Sequence, residues 1–170
     1  MTGVFYFQRM KRKLLISFLV LILMIFLMRW QGNSLNTPQS KHGIVDLEFA
    51  KTGERLSQLR LFWNHSDVVE NIFLDFLFIA AYTWFFVTAC NFVKEKNPWL
   101  YWGKNFSGIA IAAGLFDVCE NFLMLLVWNG RFGPGVLQIV YYCAAIKFIL
   151  AAIVILYLLI SIPFALKSKR

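Results

Sequence analysis

Apolar side chains in this chain fall into four long runs that polar segments separate. The runs extend from about residue 14 to 30, 71 to 93, 107 to 128 and 137 to 165. A helix of about 20 apolar residues is long enough to cross the hydrocarbon core of a bilayer. We therefore predict a single transmembrane domain over residues 1–170, an all-α, membrane-embedded, antiparallel four-helix bundle.

The first run follows a basic segment, so we compared it with a secretory signal peptide. A signal peptide ends in small residues at its cleavage site, whereas Met28-Arg29-Trp30-Gln31 follows this run. Bulky and charged side chains do not suit cleavage. We therefore expect the first run to be retained as a membrane span.

The polar segment from residue 31 to 66 contains one amphipathic stretch. Thr52 is a suitable N-cap with Glu54 in the following turn, and Leu56, Leu59 and Trp63 recur at helical spacing. We predict a short amphipathic helix from Thr52 to Trp63, which lies on the membrane surface or caps the bundle. Acidic and apolar residues of this segment form a candidate loop lid: Asp46, Glu48, Leu56, Leu59 and Trp63.

Positive charge predicts the orientation of the four spans. Ten basic residues lie in the N-terminal segment, the link between the second and third runs, and the C-terminal tail. Six lie on the opposite side, most of them in or beside the long loop, where charge has less influence. Lys and Arg favour the cytoplasmic side. We expect both termini in the cytoplasm and the loop outside it.

Composition excludes several classes of protein. A content of 59% hydrophobic and 15% charged residues is too apolar for a soluble domain. The formal net charge is +8, but the basic residues lie mostly at the ends of spans, and we expect no nucleic-acid partner. Cys90, Cys119 and Cys143 are isolated within predicted spans, so we expect neither a metal site nor a cofactor.

The third apolar run contains polar residues that a membrane span rarely holds. Asp117, Glu120 and Asn121 share one helix face at spacings of three and four residues. An ionisable group inside a bilayer costs about 2.5 to 3.5 kcal/mol on insertion scales and is normally functional or paired. These three residues therefore require partners on other spans.

The second and fourth runs supply such partners. Asp75 and Tyr82 share a face of the second span, and Lys147 lies inside the fourth. Because a short turn joins the third and fourth spans, we predict that Lys147 pairs with Asp117 or Glu120. At a rise of about 1.5 Å per residue, the whole candidate cluster lies in the outer half of the bundle. Its members are Asp75, Tyr82, Asp117, Glu120, Asn121 and Lys147.

Three functions are compatible with this cluster, and no residue pattern decides whether the protein is an enzyme. The first is a pocket that handles a membrane lipid or another amphiphilic small molecule, gated by the loop lid. The second is a purely structural network in a scaffold or partner subunit, with Asn121, Tyr82 and Tyr142 bonding the acids that Lys147 leaves unpaired. The third is proton-coupled transport by an oligomer, because three buried acids and one lysine cannot all be charged.

Motifs exclude three groups of small membrane proteins. Lipoprotein signal peptidases carry aspartates in Asn-x-x-Asp and Asn-x-Ala-Asp contexts, which are missing here. Small multidrug exporters have a glutamate in the first span, and the first apolar run contains no acid. Thiol-oxidising quinone reductases need a Cys-x-x-Cys pair, which this sequence lacks.

Several motifs lie together between Val45 and Trp128. They are Asp46-Leu47-Glu48-Phe49-Ala50, Trp63, Leu74-Asp75-Phe76-Leu77-Phe78 followed by Tyr82, and Phe116-Asp117-x-x-Glu120-Asn121. This combination resembles a group of small uncharacterised bacterial four-span integral membrane proteins. The resemblance implies four spans and the bacterial cytoplasmic (inner) membrane, and it implies no activity.

Overall fold

The computed structural model describes residues 2–96, 103–131, 133 and 135–167. Lys169 and Arg170, which contribute to the predicted orientation, lie outside the described residues. Helices make up nearly all of the described chain: α1 (Thr2–Gln31), α2 (Val45–Glu48), α3 (Gly53–Phe62), α4 (His65–Lys96), α5 (Gly103–Trp128) and α6 (Val136–Lys167). No strand occurs in these ranges, and the predicted all-α fold with four long helices is confirmed.

The four long helices α1, α4, α5 and α6 have the length and composition of membrane spans. Large apolar side chains are exposed on every one of them, among them Phe26, Leu77, Leu115 and Leu159. A helix that is apolar on its outer face as well as its inner face suits a lipid environment. These helices extend several residues past the predicted runs, because their polar ends continue the same backbone hydrogen bonding.

The long helices pack in the order α1, α4, α5, α6. Helix α4 packs along α1 on one side and α5 on the other, α5 packs along α6, and α4 also contacts α6. In contrast, α1 and α6 make at most isolated contacts across the described residues. Helices α4, α5 and α6 therefore form the core of the bundle, and the bundle is open between α1 and α6.

Helices α4 and α5 approach closely beside Gly114. A Cβ atom at this position would lie 2.6 Å from Thr83 Oγ1, so a side chain does not fit without movement. The close approach lies next to Tyr82 on α4 and about one turn from Asp117 on α5. It therefore brings these two polar side chains together.

The loop between α1 and α4 packs over one end of the bundle. Thr52 caps α3 by accepting a hydrogen bond from the Arg55 backbone N–H at 3.3 Å. Leu56, Leu59 and Trp63 are buried in a core cluster that includes residues from the ends of α4, α5 and α6. Trp63 Nε1 also donates to the Leu35 carbonyl at 2.9 Å. Of the two predicted placements for this helix, the structure has the one in which it caps the bundle.

Candidate functional site

Lys147 lies at the centre of a buried group of carboxylates. Its Nζ atom is 2.7 Å from Asp117 Oδ1, 3.0 Å from Glu120 Oε2 and 3.4 Å from Glu48 Oε1. The tight turn between α5 and α6 and the i, i+3 spacing on α5 place both α5 acids beside the lysine. Lys147 therefore pairs with both of the acids that the sequence offered as alternatives.

Glu48, which was predicted to belong to the loop lid, is a member of this group. Its side chain comes from α2 and is only 5% exposed. In contrast, Asp46 turns away from the cluster, where it pairs with Arg55 at 3.3 Å and accepts a hydrogen bond from the His42 backbone N–H. Burial raises the pKa of the Glu48 carboxyl above its ordinary value, and the charge of Lys147 opposes this shift.

Two hydrogen bonds attach side chains of α4 to the cluster residues of α5. The Tyr82 hydroxyl donates to Asp117 Oδ2 at 2.9 Å, and Asn121 Nδ2 donates to Asp75 Oδ2 at 2.7 Å. The structure therefore gathers all six residues of the candidate cluster together with Glu48. Tyr142 is 62% exposed and lies outside the cluster, so it does not fill the role considered for it in the structural alternative.

Carboxyl groups outnumber cationic groups within the cluster. Four carboxyl groups, from Glu48, Asp75, Asp117 and Glu120, accompany the single ammonium of Lys147. In the part of the chain that the structure describes, three of these acids contact Lys147, and Asp75 has no salt bridge. Burying unpaired charge is costly because the interior solvates it poorly.

A cavity of about 540 Å³ adjoins the cluster. Its polar wall consists of Glu48, Asp75, Tyr82, Asp117 and Lys147. The rest of the wall is apolar and comes from α1, α4, α6 and the segment beginning α2: Leu21, Ile25, Met28, Ile44, Val45, Phe78, Phe86, Phe148, Ala151 and Ile155. The cavity lies between α1 and α6, where the bundle is open.

The arrangement around Lys147 does not resemble a metal centre. Its ammonium nitrogen occupies the space between the carboxylates where a bound ion would need to lie. Among the residues with described positions, no group of three or more His, Cys, Asp or Glu residues is arranged to hold a metal ion.

The fold and the site define a class of protein. Four long apolar helices with lipid-compatible outer faces fit a multi-pass membrane protein, and the bundle encloses an acid-rich polar cluster. Comparisons with family models, with curated proteins and with solved structures gave no match. Function must therefore be argued from the cluster and its cavity.

Proposed function

We propose that this protein binds a membrane lipid or another amphiphilic small molecule in the cavity between α1 and α6. One observation carries the proposal: a single cavity has both an apolar wall from three long helices and a polar wall from the buried cluster. An amphiphile has the same two kinds of surface. The volume of the cavity, about 540 Å³, is in the usual range for small-molecule sites, about 300 to 1,000 Å³.

The opening between α1 and α6 supports access from the membrane. A purely structural polar network needs tight packing around it, because every unfilled space loses van der Waals contacts. Here the polar residues border a cavity instead, at the place where two helices fail to pack. A lipid that diffuses in the bilayer reaches this position without crossing the loop.

We further propose that the protein resides in the bacterial cytoplasmic membrane with both termini in the cytoplasm. The distribution of Lys and Arg supports this orientation. The bacterial location rests on the resemblance to small bacterial four-span proteins, and membership of that group is itself part of the proposal. The cavity then lies toward the outer leaflet.

The test compares two matched substitutions on α6. Ala151 lines the cavity, whereas its neighbour Ala152 is exposed on the outer face of the helix. We expect Ala151→Trp to fill the cavity and Ala152→Trp to leave it open. Mass spectrometry of purified protein should detect a copurifying amphiphile at near-stoichiometric amounts in the wild type and in Ala152→Trp, and a loss of at least tenfold in Ala151→Trp.

The outcome that contradicts the proposal is equally specific. Equal amounts of every lipid in all three proteins would mean that the cavity holds none of them, and the purely structural alternative would then be favoured. If Ala151→Trp does not give a monodisperse protein, Ile25→Trp fills the same cavity from α1 and takes its place.

A further inference from the structure

The wall of the proposed ligand cavity holds more carboxyl groups than cationic side chains: Glu48, Asp75 and Asp117 accompany Lys147. Lys147 already contacts three carboxylates. Asp75 lines the cavity and accepts a hydrogen bond from the neutral amide of Asn121. No lysine or arginine contacts Asp75 among the residues that the structure describes. This carboxylate therefore faces the cavity without a cationic partner from the described chain.

Glu48 provides a second observation at the same wall. It is 5% exposed, yet its Oε2 atom accepts no hydrogen bond from the described part of the chain. Its polar neighbours are Lys147, which contacts Oε1, and the carboxyl of Glu120, which can donate a hydrogen bond only when it is protonated. A buried acceptor on a cavity wall is stabilised by a donor that the ligand brings.

A second cavity lies beside the same three helices, nearer to their opposite ends. It has a volume of about 460 Å³, and its wall is apolar apart from Lys11. Its other lining residues belong to α1, α4 and α6: Leu14, Leu15, Phe18, Phe85, Ala89, Phe92 and Ile162. At about 1.5 Å per residue, Phe92 of this second cavity lies roughly 15 Å along α4 from Tyr82 of the first, so apolar space also borders these helices away from the acids.

From this arrangement we propose that the ligand is an amphiphile with a protonated amine as its head group. Its ammonium lies between Asp75 and Glu48, and its hydrocarbon chain lies along α1, α4 and α6. An ammonium supplies both a positive charge for Asp75, which has no salt bridge in the described chain, and a hydrogen-bond donor for the Oε2 atom of Glu48. Fatty acids and anionic phospholipids carry the opposite charge, so the carboxylates disfavour them. This inference rests on the proposed function and specifies its ligand.

The experiment compares three probes that share one alkyl chain: dodecylamine, dodecanol and dodecanoate. Each is added at neutral pH to the full-length protein in an uncharged detergent, and binding is measured by calorimetry and by the shift in melting temperature. We expect dodecylamine to bind at least tenfold more tightly than dodecanol, and dodecanoate to bind most weakly. Asp75→Asn should reduce the affinity for dodecylamine to that for dodecanol.

A matched control uses an acid on the same helix away from the cavity. Glu70 is exposed near the beginning of α4, so Glu70→Gln should retain the full preference for the amine. If Asp75→Asn does not fold, Glu48→Gln tests the same wall from α2. An amine preference that survives both Asp75→Asn and Glu48→Gln would overturn the inference, because the charge of these acids would then play no part.

The results also separate this inference from the proposed function. If dodecylamine and dodecanol bind equally and Ala151→Trp abolishes both, the cavity binds amphiphiles and the preference for an amine is wrong. If Ala151→Trp changes the binding of none of the probes, both the cavity function and the amine inference are wrong.

Discussion

At the scale of single residues, Lys147 has an unusual position because it serves three carboxylates at once. The ammonium contacts acids from α2 and α5, so it connects the loop, α5 and its own helix α6. Removing one acid leaves the lysine with two others. Removing the lysine leaves Glu48, Asp117 and Glu120 without their cation.

We therefore predict unequal losses of stability for the two kinds of substitution. Lys147→Met should lower the free energy of unfolding by about 3 to 5 kcal/mol, the usual cost of stranding buried charge. Glu120→Gln alone should change stability little, because the cluster has more carboxyl groups than cations and Lys147 keeps two of its acidic partners. The measurement is chemical denaturation of the protein in detergent.

The double variant and a surface control complete this test. Lys147→Met with Glu120→Gln should recover part of the loss, since fewer acids then remain unpaired. Lys41→Met, at an exposed position of the loop, should have almost no effect. If the double variant is no more stable than Lys147→Met, the three ion pairs do not act as one network.

Sequence predicted much of this site because helical spacing is a local property. Asp117 and Glu120 are one turn apart, and the turn after α5 determines that Lys147 returns beside them. Glu48 could not be assigned in the same way, because it belongs to a four-residue helix that is too short to show a period. Its burial follows from the docking of α2 against the bundle, which no local pattern encodes.

At the scale of the helices, the contact between α4 and α5 depends on the missing side chain of Gly114. A methyl group there would lie 2.6 Å from Thr83 Oγ1 and 3.6 Å from Ile79 Cγ2. The first distance is a clash, and the second is an ordinary contact. Thr83 Oγ1 makes no hydrogen bond within the described residues, so a Thr83→Ala substitution removes the clashing oxygen without breaking a hydrogen bond there.

This geometry predicts a specific suppressor. Gly114→Ala should lower the free energy of unfolding by about 1 to 3 kcal/mol through overpacking. The double variant Gly114→Ala with Thr83→Ala should regain most of this loss, since the clashing oxygen is gone. Gly108→Ala is the control, because a Cβ atom there has open space. Equal melting temperatures for the Gly114→Ala and Gly108→Ala variants would contradict the close approach.

The helices themselves were predictable, whereas their arrangement was only partly so. Long apolar runs predict the four spans because a membrane-spanning helix needs little else. The same runs do not distinguish α1 from α4, since lipid-facing and core-facing residues are equally apolar. The open side between α1 and α6 therefore has no signature in the sequence.

At the scale of the whole molecule, orientation in the membrane is the property that experiment tests most directly. We expect the loop between α1 and α4 outside the cytoplasm and the link after α4 inside it, because basic residues concentrate on the inner side. After Gln58, a fused reporter that works only outside the cytoplasm should be active, and one that works only in the cytoplasm should be inactive. One fused after Lys96 should be active only if it folds inside. The reverse pattern would contradict the proposed orientation.

The ion pair between Glu48 and Lys147 also has a consequence for the time course of biosynthesis. The ribosome makes Glu48 before α4, but its cation belongs to α6, the last helix to emerge. About a hundred residues separate the two, which corresponds to roughly 5 to 20 s of translation at the usual rate of about 5–20 residues per second. Throughout this interval the Glu48 carboxyl lacks its cation. The contact between Glu48 and Lys147 therefore forms only after the last helix has emerged, and in chains truncated before α6 the Glu48 carboxyl should remain without its cation.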